Sequence, residues 1–129
     1  MSEEKGLRYN EGKRKWGMIH FRSLEPMIEV LEYGAHKYSI YENNKGEEIK
    51  GVDIPIEEAY KYKIKSSGIN NWKLGLDDRE ILESMQRHLA ALLDGELRDK
   101  ESKILHMGHI MCNAMFWNYF YENKFGNTK

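Results

Sequence analysis

Ile104-Leu105-His106-Met107-Gly108-His109-Ile110-Met111-Cys112-Asn113-Ala114-Met115-Phe116-Trp117 is the stretch on which the reading of this chain turns. Around His106, Met107, Gly108, His109 and Asn113 the segment from Lys103 to Phe120 is almost wholly apolar. At 100° per residue, His106, His109 and Asn113 share one narrow helical face with Trp117 and Phe120. A helix apolar nearly all round is buried, so these imidazoles point into a core, a pocket or a subunit interface. Desolvated polar groups are costly without partners. Either something binds at this stripe or its hydrogen bonds close internally.

Working outward, the 129 residues give one helical domain, 1–129, with enough chain for a core without disulfides or a structural metal. A net charge of −1 supplies no basic excess, so no DNA or RNA partner is expected. Aromatic content of 12% excludes a disordered chain. Cys112, the single cysteine, reads as a reduced core thiol, in keeping with a cytoplasmic (host-cell cytoplasm) setting. No run approaches a membrane span, and Met1-Ser2-Glu3-Glu4-Lys5 is too charged for a signal peptide.

Residues 6–22, punctuated by Gly6, Gly12 and Gly17, read as a basic, aromatic, extended arm. A first helix is expected from Ser23, with Pro26 in its opening turn and Leu24, Met27, Ile28, Leu31, Ala35 and Tyr38 on its apolar face. Residues 39–68 are the least core-like part, with turn signals at Asn43-Asn44-Lys45-Gly46 and Gly51 to Pro55 and a short helix expected from Pro55 to Ile64. The second helix has Asp77 as N-cap, Glu80 completing a capping-box pattern and Gly95 as its stop. His88 lies within its apolar face of Ile81, Met85, Leu89 and Leu92. A short charged loop, 96–101, leads to Ser102 as the expected cap of the third helix, so helices two and three should form an antiparallel αα-hairpin.

His88, His106 and His109 lead the candidates, because facing antiparallel helices could converge them on one site and the i, i+3 pair could grip a metal. The plainer alternative is three core histidines satisfied by protein partners. Arg87 could reach a phosphate, or simply pair with Glu83 at i, i+4. Glu29 and Glu32, an E-x-x-E followed by His36, could hold Mg²⁺, but they lie away from Leu24, Ile28, Leu31 and Ala35, which favours a solvated face. Lys13 with Trp16, and Lys37 with Tyr38, combine cations with aromatic rings that can hold a phosphate and stack a base. Asn71 and Trp72 stand just before helix two, whose N-terminus favours anions. No Walker loop, G-x-G-x-x-G, C-x-x-C, nucleophile elbow or H-E-x-x-H occurs, and the lone serines give no triad argument.

Taken together, Gly12-Lys13, Val30-Leu31-Glu32-Tyr33-Gly34-Ala35-His36-Lys37-Tyr38, Asn71-Trp72, Arg87-His88-Leu89, Gly95-Glu96, Asp99, Glu101-Ser102 and His106-Met107-Gly108-His109 with Asn113 resemble one pattern. It is that of the phage-associated family labelled dATP/dGTP diphosphohydrolase, N-terminal domain. The resemblance spans the chain apart from residues 39–68, which look like an insertion. It implies a phage origin, an all-α antiparallel bundle distantly similar to MazG nucleotide pyrophosphohydrolases, and a purine nucleotide ligand. MazG-type enzymes hold Mg²⁺ with an E-x-x-E and an E-x-x-D on successive helices. Here the matching positions read Arg87-His88 and His106-Met107-Gly108-His109, and imidazole is a poor ligand for hard Mg²⁺.

Two functions follow from this. The first is capture of a purine-containing nucleotide without cleavage, as sequestration of an immune signal in an anti-defence role. It needs no cofactor and would use Lys13, Trp16, Lys37, Tyr38, Asn71, Trp72, Arg87, His88, His106, His109 and Asn113. The alternative is a hydrolase dependent on Mg²⁺ or Mn²⁺, with Glu29, Glu32, His88, His106 and His109 as candidate ligands. The apolar third helix also points to a homo-oligomer.

Overall fold

The computed structural model describes residues 6, 7, 9 and 11–125, with only the backbone of 122–125. The charged start at 1–5 and the arm positions Arg8 and Asn10 lie outside the described residues. Among the described residues there are three α-helices, α1 (Glu25–Lys37), α2 (Asp78–Leu93) and α3 (His106–Phe125). Between α1 and α2 run three short strands, β1 (Ile40–Glu42), β2 (Glu48–Lys50) and β3 (Lys63–Ser66). They form one antiparallel sheet in the order β2-β1-β3. The expected all-α bundle is therefore corrected to a mixed α/β fold.

Segment 39–68 accounts for the correction. Asn43 Oδ1 accepts from the backbone N–H groups of Lys45 (2.9 Å) and Glu47 (3.0 Å), and this Asx turn reverses the chain between β1 and β2. β1 then pairs on its other edge with β3, with Tyr41 opposite Ile49 on one side and Ile64 on the other. The helix expected at Pro55 to Ile64 is only a 3₁₀ stretch, Ile56–Lys61, before β3 begins. Strands of three or four residues carry no readable alternation, and β3 is exposed throughout.

Buried polar groups fasten the sheet to the end of α1. His36 Nδ1 meets the Tyr41 hydroxyl at 2.7 Å, and His36 Nε2 donates to the Ile54 carbonyl at 2.5 Å. Ser39 Oγ donates to the Ala35 carbonyl (2.6 Å) and accepts from the Gly68 N–H (2.9 Å). A Cβ at Gly68 would lie 2.5 Å from the Tyr38 carbonyl carbon, so only glycine allows this approach of backbone to backbone.

α2 begins as the sequence predicts, with Asp77 Oδ1 accepting from the N–H groups of Arg79 (2.9 Å) and Glu80 (3.2 Å). It ends in a Schellman turn. Gly95 has φ 92° and donates to Leu92, while Glu96 N–H returns to the Ala91 carbonyl at 2.9 Å. α1 begins at Glu25 rather than Ser23, because Phe21–Leu24 wind as a 3₁₀ turn. Its apolar face is rotated from expectation, since Ile28 and Tyr38 are exposed. α3 begins at His106, and Ser102 is not its cap.

The pairs Ser84–Asn113 and His88–His106 run in opposite senses along the two helices, so α2 and α3 are antiparallel. Ile81, Ile104 and Cys112 are buried in the helical layer, whereas Tyr41 and Ile54 are buried beneath the sheet. Burial pushes the Cys112 thiol up to about 12, which makes it an inert core group. α3 crosses α1 closely enough that a Cβ on Gly108 would sit 2.6 Å from the Pro26 carbonyl oxygen. The glycine between the two histidines is therefore a packing requirement.

Candidate functional site

The site is built where α2, α3 and their connection meet. α2 contributes Ser84 and His88 on consecutive turns, and α3 contributes His106, His109 and Asn113. The connection folds back on itself. Leu97 accepts from the His106 N–H at 3.0 Å, and Asp99 N–H donates to the Ile104 carbonyl at 2.8 Å. Asp99 Oδ2 accepts from the N–H groups of Glu101 (3.1 Å) and Ser102 (2.8 Å). Lys103, at φ 66°, completes this turn in a conformation L-residues rarely adopt. Closing the loop in this way places Glu96, Asp99 and Ser102 on the histidines.

His106 is 3% exposed, and its Nε2 lies 2.7 Å from Glu96 Oε2. Its Nδ1 lies 2.8 Å from His88 Nδ1. A carboxylate accepts only, so Nε2 of His106 carries hydrogen; in a neutral ring Nδ1 then accepts, and His88 Nδ1 donates. His88 also stacks flat on His109, with ring centres 4.3 Å apart and planes 4° apart. His109 Nε2 is 2.7 Å from Ser102 Oγ. Asn113 Nδ2 donates to Ser84 Oγ (3.1 Å) and to the His109 carbonyl (3.0 Å). One ligand atom each from His88, Asp99 and His106 lies within 4.8 Å of the other two.

Electrostatics suit metal ligation or proton transfer. Burial, reinforced by the neighbouring His109, lowers the His88 pKa below the ordinary histidine value despite the opposing charge of Asp99. Burial likewise lowers His109, again against Asp99. Desolvation pushes the Asp99 carboxyl up, but the Ser102 hydrogen bonds and the two imidazoles outweigh it, leaving Asp99 below the usual carboxylate value. Around neutral pH the favoured state is thus a carboxylate beside neutral rings. Desolvation and the charge of Glu101 raise Tyr33 on the facing surface of α1.

Beside the cluster, α1 and α3 enclose a cleft of about 280 Å³ lined by Tyr33, Lys37, Tyr38, Asn71, Trp72 and Asn113, among others. Lys37 Nζ is 3.6 Å from Glu101, in the same loop as Asp99, and so connects cleft and cluster. Trp72 does not present an open ring. It stacks on Phe116 at 4.6 Å and meets Tyr119 edge-on at 4.9 Å.

Of the residues singled out from sequence, His88, His106, His109 and Asn113 come together, and Lys37, Tyr38, Asn71 and Trp72 gather around the adjoining cleft. Lys13 and Trp16 do not join them; they line a separate open hollow with Arg14, Lys15, Met18 and Ile19. Arg87 is exposed and forms no ion pair with Glu83 among the described residues. Glu29 and Glu32 are exposed on α1 and belong to no three-residue metal-capable group among the described residues.

Glu96, Asp99 and Ser102 were not among the candidates. Their signal was the Gly95 stop, which turns Glu96 back toward its own helix, followed by an Asp-x-x-Ser turn. Ser102 does meet a histidine, but Asp99 bonds to Ser102 and not to the far nitrogen of His109. A Ser-His-Asp relay needs the carboxylate on that nitrogen.

A family model described as dATP/dGTP diphosphohydrolase, N-terminal, matches residues 3–129, and the chain belongs to that family. No curated protein and no solved structure matches it. Among the described residues, no helix is long and apolar enough to cross a membrane.

Proposed function

We propose that this domain hydrolyses purine deoxynucleoside triphosphates to the monophosphate and diphosphate, with the His88–Asp99–His106 cluster as its reaction centre. The observation that carries this is the convergence of those three side chains, from three separate segments, within 4.8 Å. One carboxylate that the helices lack, Asp99, comes from the connection between them. That supports cleavage over capture, and the family match lends sequestration and anti-defence no support.

The adjoining cleft, at about 280 Å³, falls just below the roughly 300–1,000 Å³ usual for small-molecule sites. It suits a base and sugar, with phosphates directed past Lys37 toward the cluster. A divalent cation at the cluster would supply charge neutralisation and a more acidic bound water. The chain's own groups do the rest. Lys37 brings positive charge to the cleft wall. Ser102 Oγ lies 2.7 Å from His109 Nε2; with the hydrogen on Nε2, His109 Nδ1 would be the basic nitrogen able to take a proton from attacking water.

The test is incubation of the protein with dATP or dGTP and Mg²⁺, Mn²⁺ or Zn²⁺, with products separated by chromatography. Monophosphate and diphosphate are expected, and Asp99→Asn should abolish them. Intact nucleotide recovered under every metal would overturn hydrolysis and return the capture reading.

We also propose that a second copy of the chain covers the outer face of α2. Leu82, Leu89 and Leu93 lie along that face at 43%, 48% and 80% exposure, with Gln86 between them. Two such helices set antiparallel bring Leu82 to the partner's Leu93, and exposed Arg79 toward the partner's exposed Asp94, twice by symmetry. Light scattering should give a dimer mass, reduced to the monomer by Leu89→Lys. A monomeric parent chain would refute this.

A further inference from the structure

The geometry points to a site for a dication that favours imidazole, of the zinc class, at His88, Asp99 and His106, and not for Mg²⁺. The inference takes its cluster from the hydrolase reading but does not require turnover. Mg²⁺ demands near-octahedral oxygen coordination, and this set offers one carboxylate and two ring nitrogens. Imidazole and a single carboxylate suit zinc and its neighbours, which bind these donors at about 2.0–2.2 Å.

Two features of the surroundings separate a metal site from a chance meeting of polar side chains. The first is the partner of His106. A metal-ligating histidine characteristically gives its other N–H to a carboxylate, which fixes the ring and its tautomer. Glu96 does this at 2.7 Å, and the Schellman turn that ends α2 holds Glu96 there. The second is rigidity. His88 is pinned flat against His109, and Asp99 is fixed by two backbone N–H groups at 3.1 Å and 2.8 Å. All three ligands are thus oriented by groups that are not themselves ligands. The Nδ1 atoms of His88 and His106 share one hydrogen between them at 2.8 Å; in the tautomer of His88 that carries its hydrogen on Nε2, Nδ1 of both neutral rings would be free to ligate one cation. Asp99 brings a carboxylate oxygen within 4.8 Å of both rings' ligand atoms and would balance the charge.

The experiment uses the full chain, stripped with chelator and without nucleotide, titrated calorimetrically with Zn²⁺ and separately with Mg²⁺. One Zn²⁺ per chain is expected, with at least 100-fold preference over Mg²⁺ and a rise in melting temperature on loading. Asp99→Asn should lose the zinc site. Because Asp99 also holds its turn through two backbone N–H groups, Glu96→Gln is measured beside it. It leaves every ligand in place and should weaken zinc about 10–100-fold while the melting temperature of the metal-free protein stays unchanged. Absence of zinc binding, equal or tighter Mg²⁺ binding, or zinc affinity indifferent to Glu96→Gln would each overturn the proposal. Zinc bound without turnover of any nucleotide would sink the hydrolase and leave the site standing. Turnover with Mg²⁺ alone and no zinc binding would do the reverse.

Discussion

Two buried histidines, His36 and His106, show how differently one side chain can be used in a single small chain. His36 lies under the sheet, where both ring nitrogens are taken by neutral partners, the Tyr41 hydroxyl and the Ile54 carbonyl. That network is closed and holds the inserted sheet against α1. His106, between α2 and α3, also has both nitrogens engaged, but by a carboxylate and a second imidazole, with Asp99 close by. Burial alone does not mark a functional histidine. What marks it is partners that can ionise or bind a cation.

The sharpest way to break the comparison is to remove each ring. His36→Ala should be the most damaging change, because it opens a cavity and leaves a buried hydroxyl and a buried carbonyl unpaired at about 1–3 kcal/mol each. Urea unfolding should show a loss of about 3–5 kcal/mol in total. If His36→Ala is as stable as the parent chain, the two histidines do not differ in the way described.

Asp99→Asn addresses the other side. Turnover should fall at least ~100-fold, about 2.7 kcal/mol of barrier, while stability shifts by only about 1 kcal/mol. An equal loss of stability and activity would reduce the cluster to a structural network like that of His36.

Tyr41→Phe removes only the hydroxyl facing His36. It should cost about 1–2 kcal/mol of stability and leave nucleotide hydrolysis untouched, as read from denaturation and steady-state rates on the same sample.

Acidification sharpens the contrast further. The His88 and His109 values are depressed in the folded chain, so the unfolded chain binds more protons in the window from the ordinary histidine value, about 6.5, down to the folded values. Stability therefore decreases as pH falls through that window. Asp99, also depressed, adds a loss at lower pH, as its folded carboxylate is finally protonated. Urea midpoints at pH 7.5 and 5.5 should differ, and a His88→Gln, His109→Gln double variant should flatten the slope. An unchanged slope would mean that other groups carry it.

The smallest effect concerns the loop that closes the cluster. Lys103 has φ 66°, a conformation glycine adopts without strain. Lys103→Gly should raise stability by up to about 1 kcal/mol, and a loss instead would show that the turn is held by more than its backbone.

The helices were legible because their signals are local. Asp77 caps α2 and Gly95 ends it with a positive φ, as their side-chain chemistry dictates. The stripe of His106, His109 and Asn113 was legible from 100° periodicity. The sheet was not, because its strands are three or four residues long and Tyr41 is the one fully buried side chain among them. What stabilises them is a set of contacts with the end of α1 through Ser39, Gly68 and His36. Trp72 was readable as an aromatic beside a helix start, but only packing showed that its face is spent on Phe116.

By itself the sequence determined where α2 begins and ends, and that imidazoles sit in an apolar helix. Each depends on residues within a turn or two of one another. Only the tertiary structure decided that Glu96 and Asp99 reach those imidazoles, because their approach is set by how a loop closes between two packed helices. The meeting of His36 with Ile54, eighteen residues apart, is of the same kind. Local spacing specifies helix faces; the partner across a loop is specified only when the chain has folded onto itself.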